Sequence, residues 1–131
     1  MEKISLAIEV GNIVRVALDL TVGHEKQKER FCLVIEKGNS HLNLIIILPI
    51  TNDTGKRSSQ FYVPITNLKK TGLYKPSVID CYQIRTISIE RLIKNKLGAF
   101  TIGKVEEAIL FEVRQRLAWL LDIGEEHINA P

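Results

Sequence analysis

The stretch that decides the fold class is Leu42-Asn-Leu-Ile-Ile-Ile-Leu-Pro-Ile50, a nearly continuous apolar run rich in isoleucine. A similar run, Phe31-Cys-Leu-Val-Ile35, precedes it, and the turn residues Gly38-Asn-Ser40 lie between the two. Short apolar runs bounded by turn residues are typical of strands whose two faces are both covered. We therefore predict that these runs form two central strands of one sheet.

Shorter strands are predicted on both sides of this pair. Apolar and polar side chains alternate over residues 14–18, which is the pattern of a half-buried strand. Residues 60–65 and 77–84 supply two more candidates, and Pro64 suits an edge strand because it has no N–H to donate. Five short strands joined by turns indicate a small barrel or a strongly curled sheet, to which residues 96–100 add a last short strand.

The last third of the chain changes to a helical period. From Thr101, the predicted N-cap, to Asp122, apolar residues recur every three or four positions, which predicts an amphipathic helix. Ser88 is predicted to cap one or two helical turns that end by residue 93. We expect Trp119, within the long helix, to be buried in the core. The predicted fold class is therefore mainly β with a C-terminal α-helix.

The composition favours one globular domain. The chain has 131 residues, of which 45% are hydrophobic and 25% charged, close to the average soluble protein. We expect a single domain over residues 1–131, with its core in residues 11–122 and a flexible tail at 123–131. Because the longest apolar run is too short to cross a bilayer and the N-terminus lacks a signal-peptide pattern, we expect a cytoplasmic protein without membrane contact. Cys32 and Cys81 lie in apolar runs and are expected to be buried, reduced thiols.

The charge distribution indicates an anionic partner more clearly than the net charge of +3 does. Residues 52–75 contain one acid, Asp53, and five bases, which gives that stretch a charge of +4; the bases are Lys56, Arg57, Lys69, Lys70 and Lys75. Such a stretch attracts a polyanion, although a solvated pair of loops would have the same composition. The sequence has no nucleotide-binding glycine loop, no HExxH and no paired zinc spacing, which disfavours most familiar enzyme classes.

Four spaced motifs resemble the MazF/PemK/Kid toxin family in their order. They are Gly11-Asn-Ile-Val14, Asp19-Leu-Thr-Val-Gly-His-Glu25 followed by Arg30, Pro49-Ile-Thr51, and Gln83-Ile-Arg-Thr86. The resemblance runs collinearly from about Gly11 to Leu121. It implies an SH3-like small β-barrel of the CcdB/Kid/MazF type, a homodimer, neutralisation by a cognate antitoxin, and cleavage of single-stranded RNA without a metal or cofactor.

This cleavage reaction has its own chemical requirements. A ribose 2′-OH attacks the adjacent phosphorus, so the site needs a base for that hydroxyl, a cation for the phosphorane and an acid for the departing 5′-oxygen. The resemblance implies that Arg30 stabilises the phosphorane, that Thr51 hydrogen-bonds a phosphate oxygen, and that Glu25 or His24 is the base. The alternative for Arg30 is a strand-edge arginine paired with Glu29 or Glu25, and without the motif Thr51 could equally be an ordinary turn threonine.

The RNA itself is expected to bind along two loops and a strand end. The candidate RNA-binding residues are Asn52, Lys56, Arg57, Ser58, Phe61 and Gln83. Either Phe61 or Tyr62 could stack on an unpaired base, while the other points into the core. Gln83 could read a base edge or brace the dimer, and Arg85 is expected to support the fold.

The sequence departs from the family pattern at several positions. Phe31 replaces the proline that follows the arginine, and Asn12 replaces the aspartate of the opening motif. Asp80 and Tyr82 occupy the positions where the PemK/Kid branch has a catalytic Arg and Asp. These differences favour the MazF arrangement, with Arg30 and Thr51 as the primary catalytic groups.

Two other function classes stay open from sequence. A CcdB-like poison binds DNA gyrase through its C-terminal helix and catalyses nothing, and this interpretation requires an exposed surface near Trp119. A non-catalytic nucleic-acid-binding or regulatory module is the second, because small barrels bind many ligands and the fold does not fix the function.

Overall fold

The structure is a computed structural model that describes residues 8–18, 28–38, 43–53, 55 and 60–124. Both predicted central strands are confirmed, as β2 (Lys28–Glu36) and β3 (Leu44–Asn52). The other strands are β1 (Asn12–Leu18), β4 (Tyr62–Ile65), β5 (Ser77–Asp80), β6 (Arg85–Ser88), β7 (Leu92–Ile93) and β8 (Thr101–Lys104). One helix, α1 (Glu107–Leu120), follows them, so the mainly β class with a C-terminal helix is confirmed.

The described strands form one antiparallel sheet centred on the predicted pair. The order is β4-β5-β3-β2-β1-β7, while β6 pairs with β3 and β8 pairs with β1. β4 therefore lies at one end of the order, and Pro64 sits on it as the missing N–H predicts. Because β3 pairs with β2 on one side and with β5 and β6 on the other, it is the strand around which the sheet is built.

The sheet has an apolar cluster on each face. Leu33, Leu48 and Ile79 lie on the face that also contacts α1 through Leu110 and Val113. The opposite face carries a second cluster that includes Val16, Cys32, Val34, Ile45, Ile47 and Ile87. Since successive residues of a strand point to opposite faces, the apolar runs of β2 and β3 supply both clusters at once.

The strand predicted over residues 77–84 is broken at its centre. β5 pairs with one end of β3 at Ile50–Asn52, and β6 pairs with the other end at Leu44–Ile47. A 3₁₀ turn at Cys81–Gln83 connects them. Pro49 lies in the gap between these two partners of β3, where a missing backbone donor costs least.

Two predictions for the last third were wrong. Residues 96–100 form no strand, because the Asn95 side chain accepts hydrogen bonds from the backbone N–H groups of Leu97 and Ala99 and closes a turn. Thr101 does not cap the helix: it begins β8, which pairs with β1, and its hydroxyl donates to Asn12 Oδ1 at 3.2 Å. The helix begins six residues later, with Glu106 as its N-cap.

The prediction that Trp119 is buried was also wrong, since its side chain is 60% exposed. The helix buries Leu110 and Val113, and Trp119 lies on another side of it. The predicted short turn after Ser88 is confirmed, because Ser88 Oγ accepts from the N–H of Glu90 at the start of a 3₁₀ turn, Ile89–Arg91. Most of the predicted tail, residues 125–131, lies outside the described part of the chain.

Both cysteines are free and buried, as predicted. Burial raises the pKa of the Cys32 thiol to about 12, against the opposing influence of the Arg30 and Arg85 guanidinium groups. Burial likewise raises the pKa of Cys81 to about 11. Neither thiol is therefore ionised near neutral pH. Of the helices that the structure describes, none has the length and apolar character needed to span a membrane.

Candidate active site

The pairing of β2 with β3 brings Arg30 and Thr51 to the same place. Phe31 lies opposite Ile50 and Cys32 opposite Pro49, and this register, continued by one residue, places Arg30 opposite Thr51. Directly opposed residues of an antiparallel pair project from the same face, with Cβ atoms about 5 Å apart. Both side chains are half-buried, so they are held by the fold and still reach its surface.

The surroundings of Arg30 separate it from the neighbouring carboxylate. Glu29 forms an ion pair with Arg15, and as the next residue along β2 it projects from the opposite face to Arg30. Glu29 therefore pairs with Arg15, and not with Arg30 as the alternative interpretation requires. Arg30 instead shares its face with Cys32, whose thiol pKa it lowers.

A second guanidinium, from Arg85, lies on this face. Arg85 pairs with Ile47 in the sheet, and Ile47 also pairs with Val34, so Arg85 and Arg30 project from the same side. The Cys32 thiol lies within electrostatic reach of both, since both lower its pKa. Arg85 was expected from sequence to support the fold, and its side chain is exposed. The signal that could have found it is the pairing of β6 with β3, which the sequence does not give.

Asp80 has a positioning role in the turn that precedes Arg85. Its carboxylate is buried and accepts from the N–H of Tyr82 at 3.1 Å and from Gln83 Nε2 at 2.8 Å. The aspartate thus caps the 3₁₀ turn and fixes the Gln83 side chain, which is otherwise exposed. At the neighbouring position, Tyr82 packs its ring against Phe61 with ring centroids 5.0 Å apart.

The predicted RNA-binding residues are only partly described. Asn52 follows Thr51 at the exposed end of β3, and Phe61 is half-buried beside Tyr82. Tyr62 is half-buried as well, so neither ring of this pair is fully sealed in the core. Five candidates lie outside the described residues: His24, Glu25, Lys56, Arg57 and Ser58.

Two cavities lie at these strand ends, with strand residues of the opposite sheet face, such as Glu29, Phe31 and Asn52, in their walls. One, of about 370 Å³, is lined by Arg15, Glu29, Arg30, Phe31 and Tyr74. The other, of about 200 Å³, is lined by Phe31, Asn52, Leu73, Tyr74, Lys75 and Ser77. Tyr74, which lines both, was not singled out from sequence. A half-buried arginine and a threonine side by side on the other face can hold a phosphate group.

The same residues match a known family in order and extent. A model of the PemK-like, MazF-like toxins of type II toxin–antitoxin systems matches residues 9–121. The chain belongs to this toxin family. The match covers the eight strands and the helix found in the described part of the toxin.

One sequence relative agrees with this assignment, and two solved structures share the fold. The toxin is 32% identical over 117 residues to endoribonuclease PemK of Escherichia coli, covering 87% of this chain and 82% of the relative. Its fold matches a MazE–MazF structure from Deinococcus radiodurans with a TM-score of 0.67 at 21% identity, covering 90% of this chain and 98% of the other. It also matches a mycobacterial endoribonuclease in complex with its cognate antitoxin, with a TM-score of 0.60 at 18% identity and coverage of 87% and 94%.

Proposed function

We propose that this toxin is an endoribonuclease that cleaves single-stranded RNA at selected sequences, with Arg30 and Thr51 at the scissile phosphate. Membership of the toxin family and homology to an endoribonuclease make it an RNA-cleaving enzyme at the level of class. The observation that carries the finer proposal is the register of β2 and β3, which places these two side chains opposite each other on one face.

The proposed reaction is a transesterification within the RNA. The 2′-OH loses its proton and attacks the adjacent phosphorus, the bond from phosphorus to the 5′-oxygen breaks, and that oxygen takes up a proton. The products are a 2′,3′-cyclic phosphate and a free 5′-OH. All the bonds that form and break lie within the RNA, so the chain must supply only proton transfer and charge stabilisation.

The two primary residues divide the charge stabilisation. The Arg30 guanidinium donates to the phosphorane oxygens, where its fixed geometry suits two parallel hydrogen bonds. The Thr51 hydroxyl donates a further hydrogen bond to one of these oxygens. Arg85, on the same face, adds positive charge along the path of the RNA backbone. We assign the base to Glu25 or His24, as the resemblance implies.

The partners follow from the same proposal. The toxin would act in the cytoplasm, where RNA and an antitoxin are present, and an acidic antitoxin segment would compete with RNA for residues 52–75, whose charge is +4.

We also propose a homodimer in which two α1 helices meet antiparallel near Gln115. Phe111 and Trp119, which are 62% and 60% exposed, both lie four residues from Gln115. Each copy would therefore place its Phe111 against the other copy's Trp119.

A cleavage assay tests the proposed reaction. Purified toxin is incubated with long single-stranded RNA in EDTA, and the fragment ends are analysed. We expect 2′,3′-cyclic phosphates and 5′-OH ends, and no cut at a site where the attacking nucleotide is 2′-deoxy. Arg30→Ala should reduce the rate by roughly 10²- to 10³-fold while the protein stays folded. Fragments with 5′-phosphates, or unchanged cleavage by Arg30→Ala, would contradict the mechanism.

The gyrase-poison alternative keeps one supporting observation. It requires an exposed surface at the end of the helix, and Trp119 meets that requirement. The same assay distinguishes it, because a poison leaves the RNA intact and binds gyrase tightly. RNA that is bound but not cut would instead support the non-catalytic module.

A further inference from the structure

The Asp80 carboxylate lies on the sheet face that carries Thr51. Ile79 pairs with Ile50, and both belong to the apolar cluster that contacts α1. Asp80 and Thr51 each follow one of these two residues along its strand, so both project from the opposite face. Continued by one residue, the register places Asp80 opposite Pro49, which makes Thr51 its diagonal neighbour at about 7–8 Å. The carboxylate is therefore one step along the sheet from the proposed scissile phosphate.

A buried hydrogen bond fixes the orientation of the Gln83 amide. Asp80 is only 6% exposed, and its Oδ2 accepts from Gln83 Nε2 at 2.8 Å, while its Oδ1 accepts from the N–H of Tyr82 at 3.1 Å. An ionised carboxylate can only accept hydrogen bonds, so the amide must turn its nitrogen toward Asp80. The reversed amide would bring two acceptor oxygens together and leave a buried carboxylate oxygen unsatisfied.

The Gln83 oxygen consequently faces away from Asp80. The side chain is exposed, and Gln83 lies in the chain between Asp80 and Arg85, which both project from the Arg30 face. Tyr62 pairs with Asp80 in the sheet and adds a half-buried aromatic residue to that face. An oriented amide near an aromatic ring and a phosphate-binding pair has the elements that recognise an unpaired base.

Closure of the turn does not account for the whole arrangement. The bond from the N–H of Tyr82 caps the 3₁₀ turn, and it needs only one oxygen of Asp80. The second oxygen holds the exposed side chain of Gln83, and ordering such a side chain costs rotamer entropy. This cost is useful for recognition, because a side chain that is already fixed loses less entropy when a ligand binds.

We propose that Asp80 is a positioning residue that holds the Gln83 amide so that its oxygen selects an unpaired base with an exocyclic amino group beside the scissile phosphate, an inference that rests on the proposed function. Adenine and cytosine carry such a group, which donates a hydrogen bond to the amide oxygen. Guanine and uracil carry an oxygen at the same ring position, and two facing acceptors repel each other. We therefore expect adenine or cytosine to be preferred at one position near the cut.

Binding of RNA that cannot be cut tests this selection without catalysis. Short 2′-O-methyl oligocytidylate and oligouridylate have no attacking hydroxyl, and their bases carry an amino group and an oxygen, respectively, at C4. Measured by fluorescence anisotropy, wild-type toxin should bind oligocytidylate with a Kd roughly 2- to 12-fold lower, as expected for one net hydrogen bond. Gln83→Leu should make the two Kd values equal. Gln83→Glu presents oxygen in either orientation, so it should bind both more weakly and keep the wild-type order.

Asp80→Asn gives a result that a merely structural role would not. Its Oδ1 can still accept from the N–H of Tyr82, but an NH₂ group replaces the oxygen that faces Gln83, so the Gln83 amide turns over and presents its nitrogen. The order of the two Kd values should therefore reverse in favour of oligouridylate. Glu90→Gln removes the same charge from an exposed residue in the 3₁₀ turn after β6, and as the matched control it should keep the wild-type order.

The base preference near the cut is the second readout. On cleavable RNA of random sequence, Asp80→Asn should change the preferred base at one position from adenine or cytosine to guanine or uracil. Equal Kd values or tighter oligouridylate binding in wild type, or an unchanged order in folded Asp80→Asn, would overturn the inference even if wild-type toxin cuts RNA. If Asp80→Asn does not fold, an order lost in Gln83→Leu and kept in Gln83→Glu supports the inference, and an order kept in Gln83→Leu overturns it.

The binding readout also distinguishes this inference from the proposed reaction. Wild-type toxin that cuts nothing, but shows the expected order and its reversal in Asp80→Asn, would support the role of Asp80 while the proposed cleavage fails. Wild-type toxin that binds neither oligonucleotide overturns the inference.

Discussion

The proximity of Arg30 and Thr51 depends on the pairing register of β2 and β3. Each strand sends alternate side chains to opposite faces, so a slip of one residue in the pairing of β2 with β3 would separate the two groups. The apolar runs of both strands pin this register, because Leu33 and Leu48 must reach one cluster while Val34 and Ile47 reach the other. The candidate site thus depends on the packing of residues that have no chemical role.

The buried thiols yield a pH prediction at this scale. The pKa of Cys32 is raised by burial to about 12 from an ordinary 9.0, so the folded state holds the proton more tightly than the unfolded state does. The resulting stability is fully present below pH 9 and is lost as the pH rises toward the folded pKa. We expect the free energy of unfolding to fall from pH 9 upward, at a limiting slope of about 1.4 kcal/mol per pH unit for this thiol.

Denaturant unfolding at several pH values, with Cys32→Ala as the comparison, measures this effect. The variant should lose less stability per pH unit above pH 9 than the wild type does, whatever its absolute stability. Parallel curves for the two proteins would show that the Cys32 thiol is not the source.

Single residues were also the scale at which sequence was most informative about the site. The motif order picked out Arg30 and Thr51, and the sheet then places them together. Arg85 could not be found in this way. Its position depends on the long-range pairing of β6 with β3.

At the scale of elements, the N-terminus of α1 lacks a side-chain cap, and a substitution there could stabilise the protein. Glu106 occupies the N-cap with the extended backbone that a cap requires, but its side chain makes no capping hydrogen bond. Aspartate keeps the negative charge near the helix N-terminus, and its shorter side chain reaches the first N–H groups. We expect Glu106→Asp to stabilise the protein by about 1 kcal/mol.

Thermal unfolding at one fixed protein concentration measures the gain. Glu107→Asp makes the same chemical change one residue later, where no cap is formed, and should not raise the melting temperature. If both variants melt at the same temperature, the missing cap contributes nothing to stability.

Strands and helices were predicted well where the local apolar pattern determines them. They were predicted poorly where long-range strand pairing determines them. The central strands and the existence of the helix follow from local pattern. Thr101 is a residue type that commonly caps helices, yet it begins β8, because β1 offers an edge for pairing there. The 3₁₀ break at Cys81–Gln83 is set by the Asp80 side chain, whose capping role no apolar pattern shows.

For the whole molecule, the exposed apolar side chains of α1 are the feature that needs a partner. Phe111 and Trp119 are large and more than half exposed, and their spacing of eight residues puts them on one side of the helix. Such surface on one side of a helix is typical of an interface. The prediction that Trp119 is buried was wrong for this chain alone, and the proposed dimer would cover it.

A charge on this surface should therefore dissociate the dimer. We expect Trp119→Lys to sediment as a monomer at concentrations where the wild type is a dimer. Leu97→Lys places the same charge on a side chain that is 93% exposed in the turn before β8, and should remain dimeric. A wild type that sediments as a monomer, or a Trp119→Lys variant that stays dimeric, would contradict this interface.

A double-mutant cycle on the rate of RNA cleavage tests the central claim most directly, since the claim is that Arg30 and Thr51 act on one phosphate. Single-turnover rates are measured for wild type, Arg30→Ala, Thr51→Val and the double variant, all checked for folding. If both side chains stabilise the same phosphorane, their effects are coupled, and the loss of rate in the double variant relative to wild type is much smaller than the product of the two single losses. Two losses that multiply as independent effects, or no loss in either single variant, would contradict a shared site.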